Sequence, residues 1–480
     1  MASYYVENFG CRATQADGAA IEQQFRDRGL ERAGNPASAE WLVFNTCAVT
    51  AAAEQDARAA IRRALRNNPG CKIVVTGCYA QRAPQEVAVL PGVTSVIGNS
   101  HKNDLADIAL RQTRDSRSFI PVADLGMPGT SAESTAEIFV SDIFAYAQLI
   151  AAPVFDSANE RTRPNLKIQD GCNNRCSFCI IPSVRGRSRS LGPEEVLRQI
   201  NDLVAAGYRE VVISGINLGR WGRDLEPRTV CGGRPHPPKF EELVEKILLE
   251  TSLERLRISS VEPMDWTDSF IHLMAQAPRI AKHAHVPMQS GSDSVLRRMH
   301  RKYRPWHYRE KIEKIRTAMP AAAIGADVMV GFPGETIAEF EETRQMIEEL
   351  PFTYLHVFTF SARPGTPAAQ MPNQVPVHIA RERNRVLREL AGEKKAEFMR
   401  SFVGRELDAI TLEDNAKVVS LRADRDFSVE LSPATAAFTP ALTDNYLKLN
   451  LRGTHPPNRW LRVFVESVED GLLVGQLAER

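Results

Sequence analysis

Three times in the first hundred residues, a short run of β-forming side chains ends on a cysteine and gives way to a helix-like stretch. YYVENFGC closes at Cys11, WLVFNTC at Cys47 and KIVVTGC at Cys78, and helical patterning follows over 14–28, 50–66 and 84–90. Strand, helix and strand in succession admit few topologies, because the crossover is right-handed and the strands it joins are parallel. The predicted start is a βαβαβα unit with all three cysteines at the C-terminal edge of its sheet, where open α/β sheets bind ligands. Residues 36 and 31 positions apart in the chain can therefore meet in space. Cys71 precedes its strand and belongs to the opposite edge.

From 115 to 163 the pattern lapses into Gly, Pro, Ser and Ala without a period, which reads as a linker or insertion. Six further strand-like runs follow: NLKIQD, EVVISG, RLRISS, KHAHVPM, AIGADVMVG and TYLHVFTF. Helical segments at 193–206, 240–251, 267–276, 292–319 and 335–350 separate them. Six βα units predict a partial or open barrel. Residues 377–400 read as one Arg-rich helix, and the alternating runs KVVSLRA, YLKLNLRG, WLRVFVESVE and LLVGQL predict a closing antiparallel β-domain. The expected fold class is α/β multidomain. It comprises an N-terminal open parallel α/β domain over 1–110, a linker over 111–160, a partial (β/α)6 barrel with its helix over 161–400, and a small antiparallel β-barrel over 401–480.

With 480 residues, 43% hydrophobic and 25% charged, the chain is built like an ordinary globular protein, which excludes collagen-like, disordered and coiled-coil classes. No basic-then-apolar leader opens the sequence, so a cytoplasmic address is expected. The most apolar stretch, 138–155, carries Asp142 and reads as no membrane anchor. Eight cysteines in such a chain point to metal binding or catalysis before disulfides. The net charge is +1, so a polyanion must be met by local patches. Residues 161–189 hold seven basic residues against one Asp, and RRMHRKYR at 297–304 has five and no acid. Arg185, Arg187, Arg189, Arg297, Arg298 and Lys302 are the candidate phosphate contacts. Residues 401–480 carry 9 basic and 12 acidic side chains, which argues against strong independent RNA binding there. A 19-residue stretch rich in Pro and Gly, 220–238, is long for a strand-to-helix connection and is expected to act as a substrate-choosing lid.

In GCNNRCSFC, directly after the first barrel strand, Cys172, Cys176 and Cys179 form a CxxxCxxC loop tight enough to turn three thiolates toward one centre. A four-iron cluster held by three of them keeps one iron open for a substrate or cofactor. Structural zinc wants a fourth ligand, and no further Cys or His lies within ten residues.

This loop after the first strand of a six-unit βα barrel resembles the radical S-adenosylmethionine superfamily. The resemblance extends over nearly the whole chain through GCRATQ, NTCAVT, TGCYAQ, KIQDGCNNRCSFCIIPSVRGRSRS, SSVEP, HVPMQSGSD, VGFPGET and FSARPGTPA, which together look like the methylthiotransferases. It departs at Thr14, where Asn is commoner in the family, and at Ala48, where Thr or Ser is usual. The resemblance implies two 4Fe-4S clusters, one on Cys11, Cys47 and Cys78 and one on Cys172, Cys176 and Cys179. It further implies S-adenosyl-L-methionine as cofactor, tRNA as substrate, an electron donor of flavodoxin or ferredoxin type, a sulfur donor of unknown identity, and a TRAM-like C-terminal module.

Polar residues at the ends of the predicted barrel strands, Gly215, Asn217, Ser260, Glu262 and Gln289, are the candidate S-adenosylmethionine contacts, with Glu262 suited to a ribose or amino group. KIQDGCNNRCSFC and SGINLGRWGRDL look most like the branch that methylthiolates N6-threonylcarbamoyladenosine beside the anticodon. The alternatives are isopentenyladenosine in tRNA, an aspartate of a ribosomal protein, and, outside enzymes, an RNA-binding protein stabilised by metal.

Overall fold

A computed structural model describes residues 2–115, 136–146, 149, 162–227, 235–413 and 438–478. The first sheet has six strands: β1 (Ser3–Asn8), β2 (Glu31–Arg32), β3 (Trp41–Thr46), β4 (Lys72–Gly77), β5 (Val93–Gly98) and β6 (Glu137–Phe139), in the order β2-β1-β3-β4-β5-β6. Every pairing in it is parallel. WLVFNT is buried throughout because both faces are covered: Leu42 and Phe44 join Ile61 and Ala64 of the helix Ala51–Asn67, while Trp41 and Val43 join Ile21 and Phe25 of the helix Arg12–Arg26. Thr50 starts the first of these helices, its hydroxyl accepting from the Ala53 amide at 3.2 Å. The sequence reading passed over β2, β5 and β6. Two of them are too short to show an alternation, and β6 lies in the stretch read as linker.

A four-stranded sheet follows, ordered β10-β9-β7-β8 from β7 (Asn165–Asp170), β8 (Arg189–Ser190), β9 (Glu210–Gly215) and β10 (Arg255–Ile258). A three-stranded parallel sheet holds β11 (His283–His285), β12 (Ala323–Val330) and β13 (Tyr354–Thr359). A bridge from Leu256 to Ile280 is parallel as well. Two helix expectations need correction. The segment 292–319 is two helices, Asp293–Arg298 and Pro305–Ala318, because His300 takes a left-handed φ of 56° and Pro305 opens the second. The helix expected from 335 starts at Ile337, since Thr336 caps it in a reciprocal box with Glu339. Glu335 is left outside, where it accepts from the Gly331 amide and pairs with Arg383.

The helix Val377–Arg400 leads to a closed barrel of β14 (Glu406–Thr411), β15 (Phe438–Thr443), β16 (Lys448–Arg452), β17 (Trp460–Glu469) and β18 (Leu472–Leu477), ordered β14-β15-β16-β18-β17 around Leu449, Leu451, Val463, Val465 and Leu473. KVVSLRA lies outside the described residues, as do 228–234 of the expected lid, Cys231 among them. Two compact units emerge, one of Met1–Val154, Gln169–Arg189 and Ser361–Ala369, the other of Phe155–Ile168, Ser190–Phe360 and Gln370–Arg480. Among the described residues no helix is long and apolar enough to cross a membrane.

Candidate active site

Cys11, Cys47 and Cys78 follow the C-terminal ends of β1, β3 and β4, three neighbouring strands of one sheet. Cys11 is exposed at the N-cap of its helix, Cys47 stands one residue beyond β3, and Cys78 opens a short helix directly after β4. Gly10 lets the first two approach. It holds φ at +105°, and a Cβ there would lie 2.7 Å from Cys47 Cβ and 2.9 Å from its Sγ. Backbone and side-chain donors face the sulfurs: the Val49 amide reaches Cys47 Sγ at 3.4 Å, and Asn99 Nδ2 reaches Cys78 Sγ at 3.6 Å while donating to the Val184 carbonyl at 2.7 Å. Thr14, one of the two departures, puts its hydroxyl 3.6 Å from Cys11 Sγ. Burial pushes the Cys47 thiol up to about 12, the neighbouring Cys78 adds to the rise, and the Val49 amide and Arg185 oppose it. A buried thiol of this kind would lose its proton when a metal takes its place on the sulfur.

Cys172, Cys176 and Cys179 lie in the same compact unit, on a loop without helix or strand after β7. All three are half-buried. Gly171 begins the loop at φ +71°, and a Cβ on it would meet the Arg187 carbonyl oxygen at 2.0 Å, so the turn depends on glycine. The Cys172 amide donates to the Gly186 carbonyl at 3.1 Å, the Asn174 amide to Cys172 Sγ at 3.4 Å, and the Cys179 amide to the Cys176 carbonyl at 3.2 Å. Among the described residues no three His, Cys, Asp or Glu side chains form a group that could hold one metal ion. In a polynuclear cluster each thiolate binds its own iron, and an all-sulfur donor set at strand ends, with amides turned toward the sulfurs, fits that requirement.

The candidate phosphate contacts separate into two kinds. Arg185 is only 2% exposed; its Nη1 donates to Asp170 at 2.9 Å and its Nη2 to Asp17 at 3.0 Å. Burial works against its charge, yet those carboxylates and the nearby Cys78 and Cys11 hold the guanidinium firmly protonated. Arg189 is buried too, donating to the Tyr146 and Arg185 carbonyls and lying over the Tyr146 ring. Both are corrections to the expectation of phosphate contact, because a charge cluster in sequence does not distinguish a solvated arginine from one drawn inward by acids 15 and 168 residues away. Arg298 is bound bidentately by Glu339, both contacts 2.9 Å, and against the effect of burial these bonds hold that carboxyl down at about 2. Arg187, Arg297 and Lys302 are exposed, Arg297 sharing Asp293 at 2.8 Å.

In the other unit, Gly215 ends β9 and Asn217 follows it, Ser260 and Glu262 lie just past β10, and Gln289 lies just past β11, all at C-terminal strand ends. Glu262 is not open-handed, since it pairs with the buried Arg301. Gln289 takes a left-handed φ of 63°, uncommon for a side chain with a Cβ, and its backbone is tied to β12: its amide donates to the Asp327 carbonyl at 2.8 Å and its carbonyl accepts from Met329 at 2.8 Å. Sequence reasoning missed Asn99, whose signal is its place directly after the VTSVIG strand.

The Radical SAM superfamily profile matches residues 166–347, and that of an uncharacterized protein family, UPF0004, matches 3–98. The threonylcarbamoyladenosine tRNA methylthiotransferase of Bacillus subtilis (strain 168) is 36% identical over 457 residues, 95% of this chain and 91% of its own. The tRNA-2-methylthio-N(6)-dimethylallyladenosine synthase of Acidothermus cellulolyticus is 33% identical over 418 residues, 86% of this chain and 78% of its own. Among solved structures, the radical S-adenosylmethionine methyltransferase TsrM from Kitasatospora setae overlays at a TM-score of 0.54 with 15% identity, covering 77% of each chain, a likeness of fold alone. With two cysteine trios on one compact unit and relatives of this identity along nearly its full length, the chain belongs to the radical SAM tRNA methylthiotransferases.

Proposed function

We propose that the protein adds a methylthio group to C2 of N6-threonylcarbamoyladenosine next to the anticodon of tRNA, using two 4Fe-4S clusters and S-adenosyl-L-methionine. The observation that carries this reading is the pair of cysteine trios, Cys11, Cys47 and Cys78 at neighbouring strand ends and Cys172, Cys176 and Cys179 on the loop after β7, in one compact unit. Three ligands to a four-iron cluster keep one iron open in each. When bound, these groups would supply one-electron cleavage of the sulfonium and the methyl group, with the inserted sulfur coming from a donor that the reading leaves unassigned.

The chain's own residues hold and tune. The Val49 and Asn174 amides and Asn99 Nδ2 point hydrogen at thiolate sulfurs, which draws charge from them, and the buried Arg185 offsets negative charge beside Cys11 and Cys78. Gly215, Asn217, Ser260, Glu262 and Gln289 at the strand ends are assigned to S-adenosylmethionine, and Arg187, Arg297 and Lys302 to tRNA phosphates. The closed five-stranded barrel acts as a TRAM-like module. The reading also takes an electron donor of flavodoxin or ferredoxin type and a cytoplasmic setting.

Three measurements test this. Anaerobically prepared protein should carry about eight irons. Cys176→Ala should abolish formation of 5′-deoxyadenosine, while Cys47→Ala should retain it and make no methylthio product. A Cys47→Ala enzyme fully active in product formation would remove the second cluster. Nucleosides of tRNA from cells lacking the protein should lose the methylthio form of threonylcarbamoyladenosine; loss of the dimethylallyl counterpart instead would move the assignment to the other branch.

A further inference from the structure

The three-stranded sheet has one dry face and one polar face. Ala284, Ile324, Ala326, Val328 and Val330 are buried on the first. The register sets His285 beside Gly325 and Tyr354, and Asp327 beside His356, on the second. Barrel interiors are ordinarily filled with branched aliphatic side chains. Here the corresponding strip is His283, His285, Tyr354, His356 and Phe358, with ring centroids 5.4–6.5 Å apart from one to the next, and Asp327 among them. Its lower end is closed by Tyr446, 4.5 Å from the His283 ring and 5.4 Å from the Arg257 guanidinium on β10, so the strip and β10 look onto the same space. The upper end opens: His356 is exposed and Phe358 is 47% exposed. Gln289, at the strand-end edge, bonds through its amide to the Asp327 carbonyl. His285 is 9% exposed, and its buried Nε2 makes no hydrogen bond among the described residues, its charged neighbour being Asp327 Oδ1 at 3.5 Å.

A buried imidazole nitrogen without a hydrogen bond costs free energy until a ligand supplies a partner. We propose that His285, Asp327 and His356 are the specificity-determining residues that read the polar N6 substituent of the target adenosine. This rests on the functional reading above. A threonylcarbamoyl group is a urea carrying a carboxylate and a hydroxyl, so imidazole N–H groups can donate to its carboxylate while Asp327 accepts from its urea N–H or hydroxyl. A dimethylallyl group offers none of these atoms and would leave the buried His285 Nε2 without a hydrogen bond. Sites built to hydrogen-bond a substrate reject the analogue lacking those groups far more strongly than apolar pockets reject a polar one.

The test uses reconstituted full-length enzyme and two anticodon stem-loops that differ only in carrying threonylcarbamoyl or dimethylallyl on the target adenosine. His356 is exposed, so His356→Leu should fold with unchanged iron content. It should lose about tenfold or more in kcat/KM on the threonylcarbamoyl RNA, with the ratio between the two RNAs shifting toward dimethylallyl. His356→Gln, which keeps a donor, should recover most of the loss, and His285→Leu should shift the ratio in the same direction. A ratio unmoved in both leucine variants, including equal loss on both RNAs, would overturn the proposal. Wild-type enzyme that acts on the dimethylallyl RNA and not on the other would instead overturn the functional reading beneath it.

Discussion

A guanidinium shut away from water keeps its charge only through its neighbours, and Arg185 shows how completely such a residue is committed. It spans Asp17 and Asp170, and Asp17 is also held by Lys102 at 3.0 Å, with Lys102 itself buried. Removing one partner of such a cluster leaves uncompensated buried charge, which costs about 3–5 kcal/mol. Arg185→Met should therefore lower the denaturant midpoint or yield little soluble protein, whereas Arg187→Ala, two residues on and exposed, should leave the unfolding free energy within about 0.5 kcal/mol of wild type and weaken tRNA binding. Equal stability of the two variants would contradict the buried network. The pair also shows why neighbouring arginines were indistinguishable in sequence: burial is set by acids distant in the chain, which local charge counting does not see.

At the scale of elements, the three-stranded sheet depends on a missing side chain. A Cβ on Gly325 would lie 2.0 Å from Cζ of Tyr354, so the tyrosine ring crosses β12 where the glycine leaves room. Gly325→Val should destabilise the protein by about 1–3 kcal/mol through overpacking. Shortening the tyrosine removes the clash, so Tyr354→Ala and Gly325→Val together should be non-additive by about 0.5–3 kcal/mol, measured as a double-mutant cycle in denaturant unfolding. Additive effects would show that the ring does not need the gap. The strands were legible because AIGADVMVG and TYLHVFTF are rich in β-branched and aromatic residues, and β12 and β13 fall inside those runs. The segment 292–319 was misread as one helix because its charges continue across His300, whose left-handed backbone interrupts it.

Across the whole molecule, polyanion binding is decided by which basic groups remain uncommitted. In the C-terminal barrel, Arg452 is held by Glu466 at 2.6 Å, and Arg462 by Glu406 and Asp408, each at 3.0 Å. Arg297 is likewise shared with Asp293 at 2.8 Å, but it and the exposed Lys302 lie in a run of five basic residues without an acid, whereas the barrel's arginines face acids of their own sheet. Each phosphate contact contributes about 0.7–0.9 to the log–log salt slope, so Arg297→Ala with Lys302→Ala should lower the slope of tRNA binding by roughly 1.5. Arg452→Ala with Arg462→Ala should lower it by less, because freeing their acids restores no lost contact. A larger fall in the second pair would place the main electrostatic contact on the C-terminal barrel. Iron content unchanged from wild type in both pairs is the control.

Local information in the chain was enough for the βα order, the cysteines at strand ends and the family. Strand propensity, helix periodicity and the spacing of three thiols within eight residues are properties of neighbours in sequence. Tertiary structure alone decided which arginines are buried, that β6 from the supposed linker completes the first sheet, that Glu262 is paired with Arg301, and that His285, Asp327 and His356 share a face. Each of these depends on packing between segments tens to hundreds of residues apart, where desolvation and pairing are settled by whatever the fold brings alongside and not by adjacent residues.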